Sequence, residues 1–409
     1  MTFPIHVEAG KRYFIDAAGK PFFINGDSPW SLIVQLTQPQ VDQYLEDRRS
    51  KGINAVLVNL IEHEFATNPP NNANGDAPFT TPGDFTTPNE RYFAEADYVI
   101  NKAAEKGMLV LLAPAYLGSG GGSQGWYQEM QANGTTKLRT YGQYLGNRYK
   151  GFANILWVDG GDYNVPSKDL VRAVANGIRD FDNKPHTYHA SRGTAAMQFW
   201  GTSEPWLTVN DIYTDDSTVV AAAFGEFNRS TAPFFLIEAI YEGEGASAQT
   251  VRLQAYQTVL SGGSGHMMGN NPMWFFGSGW QNALNSPGAR SLTYVGGLFA
   301  SRAWWTLQPD TGNTLLTGGV QTGPDRAVAS RASDGSFAFV YVPSQRSVTI
   351  NLSQLGGPRV NATWYDPTSG KTTLVSGSPF LASGSRSFNQ TVSNSGGDSD
   401  WVLILDSTQ

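Results

Sequence analysis

An eight-stranded (β/α) barrel followed by a small antiparallel β-sandwich is the architecture that this sequence predicts. Three observations lead there. Short apolar runs alternate with amphipathic helical stretches from about residue 20 to 305. The runs are near-continuously apolar, as parallel strands covered on both faces are. After about Pro309 the texture changes to short β-rich runs broken by turn signals. The 409 residues suffice for a barrel and a companion domain, and the division is expected between 1–310 and 311–409.

The eight strand candidates, in order, are PFFINGD (21–27), NAVLVNL (54–60), MLVLLAPAY (108–116), NILWVDGGD (154–162), HTYHAS (186–191), WLTVNDIY (206–213), PFFLIEAIY (233–241) and GHMMGNNPMWFF (265–276). Helices fall between them. Thr37 and Gln40 form a capping box ahead of Val41, Tyr44 and Leu45, with Gly52 as the stop. Phe93, Ala96, Ile100 and Ala103 share a helical face that ends at Gly107. Leu138, Tyr141 and Leu145 make a third stripe, and Val251, Ala255 and Val259 a fourth, stopped by Gly262 and Gly263. Eight such alternations fit a closed barrel better than a doubly wound sheet. In the tail, AVASRA, SFAFVYVP, SVTINLSQL, VNATWYDPTSG and DWVLILD read as sandwich strands. The tail is expected to be structural and packed on the barrel.

Composition removes several function classes. Net charge is −7 without a Lys/Arg run, which disfavours a nucleic-acid partner. The absence of Cys removes disulfides, thiolate chemistry and Cys-based zinc sites. No apolar run is long enough for a membrane span. The opening MTFPIHVEAGKRYF is not a signal peptide. The expectation is a secreted or periplasmic protein with its signal removed, or a cytoplasmic one. No cofactor is expected: Gly118–Gly122 lacks the Lys-Ser/Thr of a phosphate cradle, and no Ser sits in a G-x-S-x-G elbow.

Active sites of such barrels lie at the C-terminal strand ends. Glu238 sits there in FFLIEAIY, and a carboxylate in an apolar strand needs a partner or a task. The structural alternative is an ion pair with an Arg. Asp162 ends the fourth apolar run in a Gly-Gly-Asp turn, and the alternative for it is a helix cap. Asp159 rivals Asp162, and Glu242 and Glu244 rival Glu238. Two carboxylates facing across a cleft are the minimum machinery for cleaving a glycosidic bond. Other strand-end residues are candidates for holding a carbohydrate. Trp30, Tyr116, Trp126 and Trp274 offer flat faces to sugar C–H groups, and Asp27, His63, Glu64, Asn72, Asp159, His189 and Tyr213 offer hydrogen bonds. Glu62-His63-Glu64 and His186-x-x-His189 lack the HExxH pattern, so no metal site is expected.

Several long segments, in order, resemble the apiosidase-like glycoside hydrolases. They are FFINGDSPWSLIVQLTQPQVDQYLEDRRSKGINAVLVNL, PPNNANGDAPF, NERYFAEADYVINKAAEKGMLVLLAPAY, NILWVDGGDYN, PFFLIEAIYEGE and SGWQNALNSPGARSLTYVGGLFASRAWWTLQPD. RAVASRASDGSFAFVYVPS and WYDPTSGKTT resemble the small β domain, labelled collagen-binding, that follows this barrel. The resemblance spans nearly the whole chain. It implies a (β/α)8 barrel, with the acid/base on Asp162 and the nucleophile on Glu238. It also implies a retaining hydrolase acting on a pentofuranoside or related sugar of a plant or microbial polysaccharide. The competing expectation is a non-catalytic carbohydrate-binding or adhesion protein on a barrel scaffold. A filled pair of carboxylates separates the first from the second.

Overall fold

The computed structural model describes residues 2–408. Eight parallel strands form one sheet: β1 (Ile24–Asp27), β2 (Ala55–Asn59), β3 (Leu109–Ala113), β4 (Ile155–Gly160), β5 (His186–His189), β6 (Asn210–Tyr213), β7 (Phe234–Glu238) and β8 (Gly265–Met268). Each except β5 pairs with the next in the chain, and β8 returns to β1. At the remaining seam, Thr208 and Val209 of the β6 approach donate backbone N–H bonds to the His186 carbonyl of β5. The barrel is thus nearly closed, and the expected fold class is the observed one.

A helix follows each strand: α1 (Gln38–Ser50), α2 (Glu90–Glu105), α3 (Tyr127–Tyr149), α4 (Lys168–Arg179), α5 (Ala196–Trp200), α6 (Val219–Arg229), α7 (Ala248–Leu260) and α8 (Pro287–Ala300). The capping box of α1 is formed, with the Thr37 N–H donating to Gln40 Oε1 at 3.0 Å. Its stop, Gly52, takes φ +74°, the left-handed conformation that favours glycine.

Strand alternation sorts the core into two layers. Ala55, Leu57, Leu109, Leu111, Leu156, Val158, Phe235, Ile237 and Met267 point inward and fill the barrel. Val56, Val58, Val110, Leu112, Ile155 and Trp157 point outward to the helices. The hairpin Phe14–Ile15/Pro21–Phe22 brings Phe14 and Phe22 into the inner cluster.

The tail is two antiparallel sheets. The larger contains β9 (Leu307–Pro309), β11 (Val328–Ala332), β12 (Phe337–Val342), β14 (Arg359–Tyr365), β15 (Thr372–Leu374), β16 (Phe380–Leu381) and β18 (Trp401–Thr408). The smaller contains β10 (Leu316–Gly318), β13 (Ser347–Asn351) and β17 (Ser385–Asn389). Ala338, Val340, Leu403 and Leu405 face the smaller sheet. Their neighbours Phe337, Phe339, Tyr341, Val402 and Ile404 face Tyr256, Leu260, Leu298 and Phe299 of α7 and α8. One sheet therefore has two buried faces, and the second is covered by the barrel. Arg252 of α7 crosses this contact to Asp400 at 2.7 and 2.8 Å and to Asp398 at 2.6 Å.

Candidate active site

Three local devices build the site. The first is the turn after β4, where Gly160, Gly161 and Asp162 take φ of +89°, +130° and +55°. A Cβ at Gly160 would lie 2.7 Å from the His189 carbonyl, and one at Gly161 would lie 2.3 Å from the Tyr116 ring. Only glycines fit this turn, and Asp is among the few other residues that tolerate its last step. The turn throws the Asp162 carboxyl over the barrel mouth.

The second device is a bulge in β7. Ile212 of β6 pairs with Leu236, but Tyr213 pairs with Glu238. Strict alternation from inward-facing Phe235 and Ile237 would turn Glu238 outward. The extra residue reverses that and aims Glu238 inward.

His189, at the inward end of β5, joins the two. Its Nδ1 accepts the Asp162 backbone N–H at 2.9 Å, and its Nε2 lies 2.7 Å from Glu238 Oε2. Because Nδ1 accepts, Nε2 carries the proton and donates to the carboxylate. Burial opposes a charge on this ring, whereas Glu238 and Asp162 favour it, and the net is a raised pKa. The Asp162 N–H sets a geometric limit, since a protonated Nδ1 would face it. The ring stacks on Tyr213 at 5.0 Å and meets Trp30 edge-on at 5.6 Å.

Burial pushes the Glu238 carboxyl above its usual range. The His189 hydrogen bond holds it down, Asp162 adds to the rise and Tyr241 lowers it again by a hydrogen bond. The net shift is upward. Tyr116 donates its hydroxyl to Asp162 Oδ2 at 3.0 Å, and Trp30 donates its indole N–H to the Tyr241 hydroxyl at 2.7 Å. Burial raises the Tyr116, Tyr213 and Tyr241 phenols, so all three stay protonated as donors.

These groups border a cleft of about 200 Å³. Asp162 and Glu238 lie in its wall with Trp30, Tyr116 and Trp274. Oxygens of the two carboxyls and a His189 nitrogen all lie within 4.8 Å of one another. Among the described residues this trio is the cluster dense enough for a metal. Both ring nitrogens of His189 are committed, Nδ1 to an N–H and Nε2 to Glu238, which leaves no lone pair for an ion.

The structure separates the other expected contacts from the cleft. Asp27 follows inward Ile24 and Gly26, so it points outward. It is fully buried, with Oδ2 taking Arg48 Nε at 2.6 Å and the Tyr44 hydroxyl at 2.7 Å. Asp159 likewise alternates outward, and its Oδ2 pairs with His186 Nδ1 at 2.8 Å. Neither can reach a sugar. Asn72 is buried and turns its Oδ1 to the N–H groups of Asn74 and Asp76, which folds its own loop. Trp126 packs edge-on against Phe79 and Phe85, and His63 meets it edge-on while bonding Glu129 at 3.0 Å. Those two residues border a separate apolar hollow with Pro70 and Pro78. Glu64 is exposed and outside the cleft wall. Tyr213 lies behind His189, its hydroxyl bonded by Arg192 at 3.0 Å. Of the rival carboxylates, Glu242 is consumed by the start of α8: its oxygens take the Gly288 N–H at 2.7 Å, the Ser286 hydroxyl at 2.6 Å and Asn270 at 3.0 Å.

Four wall residues lie outside the candidates read from the sequence, Asn59, Phe65, Gln124 and Tyr241, and a fifth, Glu244, entered there only as a rival of Glu238. Asn59 had a signal, because Ala55 and Leu57 set an inward period that continues to it. The others depend on loop paths.

Comparison with known proteins places the chain in a family. Residues 8–306 match the model described as "Apiosidase-like, catalytic domain", and residues 309–406 match "Putative collagen-binding domain of a collagenase". A solved structure titled glycoside hydrolase is 25% identical at TM-score 0.85, covering 99% of this chain and 97% of its own. A glycoside hydrolase family 5 structure from Bacteroides vulgatus is 25% identical at TM-score 0.86, covering 98% and 93%. A family 5 mannosidase from Rhizomucor miehei, 10% identical at TM-score 0.56 over 73% of this chain and 97% of its own, shares the fold. No curated protein matches in sequence. With a matched model over most of its length and a carboxylate pair at the barrel mouth, the chain belongs to the apiosidase-like glycoside hydrolases.

Proposed function

We propose that the protein hydrolyses a glycosidic bond in a plant or microbial polysaccharide or oligosaccharide by a retaining double displacement, releasing a pentofuranose or related sugar. The observation that supports this reading is the closeness of Asp162 and Glu238, each of which brings one carboxyl oxygen within 4.8 Å of an oxygen of the other, a nearest-atom distance rather than the separation of the two groups. Retaining glycosidases hold the two carboxyl groups about 5–5.5 Å apart, and inverting ones about 6.5–9.5 Å apart to admit a water.

Glu238 attacks the anomeric carbon while Asp162 donates its proton to the departing oxygen. The glycosidic C–O bond breaks and a glycosyl ester on Glu238 forms. In the second half, Asp162 takes a proton from water, the hydroxide oxygen bonds the anomeric carbon, and Glu238 leaves as a carboxylate. His189 and Tyr241 donate hydrogen bonds that favour the ionised Glu238, and Tyr116 fixes the direction of Asp162. Trp274, Trp30 and Tyr116 supply aromatic surface for the sugar, a role also consistent with their place in the wall.

The test is leaving-group dependence. Asp162→Ala should lose about 100- to 10,000-fold on natural glycosides, the range of general acid catalysis, and far less on activated aryl glycosides, with azide restoring turnover. Glu238→Gln should be nearly inactive on both. Equal losses on both substrate types for Asp162→Ala would remove it from the acid/base role.

A further inference from the structure

The cleft wall holds a third carboxylate that the double displacement does not use. Glu244 lies in the loop after β7, between Gly243 and Gly245 at φ +84° and +116°. The loop is pinned: the Glu244 N–H bonds the Tyr241 carbonyl at 3.0 Å, and a Cβ at Gly243 would lie 2.7 Å from the Asn271 carbonyl. Its side chain is pinned too. Trp274 Nε1 and Asn271 Nδ2 both donate to Oε1, each at 2.8 Å. Oε2 takes no hydrogen bond among the described residues, and it belongs to a side chain in the cleft wall beside the Trp274 ring.

The charge balance of the wall is one-sided. Asp162, Glu238 and Glu244 are its charged members, and no Lys, Arg or His lines it among the described residues. Arg192 is held outside, by Tyr213 and by Asp215 at 2.9 Å.

We propose that Glu244 determines specificity by accepting a hydroxyl of the bound sugar on Oε2 and by excluding sugars that carry a carboxylate or sulfate. This rests on the glycoside hydrolase reading and names the substrate class, an uncharged sugar, for the same cleft. A fixed acceptor that meets a hydroxyl forms a charge-assisted hydrogen bond. The same oxygen facing an anion about 4 Å away, in a wall without cations, repels it. That repulsion corresponds to roughly 5- to 1,000-fold in affinity between the water and near-surface limits of screening.

The experiment uses the full chain and a panel of aryl glycosides in matched pairs, each neutral sugar beside its uronic acid, with pentofuranosides added to the neutral set. Turnover should fall on neutral members, with each uronide at least fivefold poorer in kcat/KM. Glu244→Gln should raise KM at least tenfold on the neutral substrate, hold kcat within threefold, and narrow the uronide gap. A uronide cleaved as fast as its neutral partner, or a Glu244→Gln variant with unchanged KM and ratio, overturns the inference while leaving the hydrolase reading intact. Silence across the panel counts against the hydrolase reading. A binding arm then reads Glu244 without chemistry. An iminosugar should quench cleft tryptophan fluorescence with at least fivefold higher affinity than its C-carboxylated analogue, and Glu244→Gln should narrow the ratio. Equal affinity, or no binding of either, overturns the inference.

Discussion

Replacing His189 with Phe should move the acid limb of activity to higher pH. The ring keeps its place against Tyr213 and Trp30 and still excludes water, but it loses both polar atoms. Glu238 then loses the Nε2–H donor at 2.7 Å that stabilises its ionised form. A hydrogen bond to a charged group contributes about 1.5–3 kcal/mol, and one pKa unit corresponds to about 1.4 kcal/mol. The Glu238 pKa, already raised by burial, should therefore rise further by about 1–2 units. The sign follows from the chemistry: attack needs the carboxylate, so the rate falls as pH drops through this pKa. A higher pKa moves that fall upward in pH. The assay is kcat/KM against pH for the wild type, His189→Phe and His189→Asn. Asn keeps a donor and should recover part of the shift. An acid limb that stays in place in His189→Phe, with the protein folded, would refute the role given to His189.

Two further expectations concern stability. Burial raises the Asp211 carboxyl to about 7 and the Glu62 carboxyl to about 7. A raised folded-state pKa gives stability that is full below the unfolded value near 4 and is lost as pH rises to about 7. Asp211 alone should account for a loss on the order of 4 kcal/mol across that window. Urea midpoints against pH should flatten in Asp211→Asn, and parallel slopes in variant and wild type would contradict this. At the domain contact, Arg252→Ala strands Asp400, which is fully buried. Removing one partner of a buried pair costs about 3–5 kcal/mol, readable by urea unfolding, and a loss below about 1 kcal/mol would show that the contact is not held by this pair.

Much of the fold and the core of the candidate site are legible in the sequence, for identifiable reasons. Apolar strands and capped helices give a period and a start signal, which is why β1 to β8 and α1 lie where the pattern puts them. Asp162 and Glu238 stand out because a carboxylate at the end of an apolar strand needs a partner or a task. Period-two alternation also carried information about direction: it sends Asp27 and Asp159 outward to Arg48 and His186, and Asn59 inward to the cleft. Glu238 breaks that rule through the β7 bulge, and no local residue pattern announces it. Trp126, like Trp30, lies between a strand and its helix, yet Phe79 and Phe85 claim it across the chain. Phe65, Gln124 and Glu244 sit on loops whose paths are set by distant packing, so their arrival at the cleft has no period to read. The eighth run was expected to continue to Phe276, but β8 stops at Met268, and the segment beyond carries Trp274 on a short helical turn, Met273–Phe275.

The stereochemistry of the first-formed product tests the central claim most directly. Proton NMR of the anomeric signals during the first minutes of hydrolysis, before mutarotation, distinguishes the two outcomes. With Asp162 and Glu238 as close as they are, the first product should have the same anomeric configuration as the substrate. An inverted first product would contradict the account, because Glu238 would then act as a base on water and no glycosyl ester would form on it.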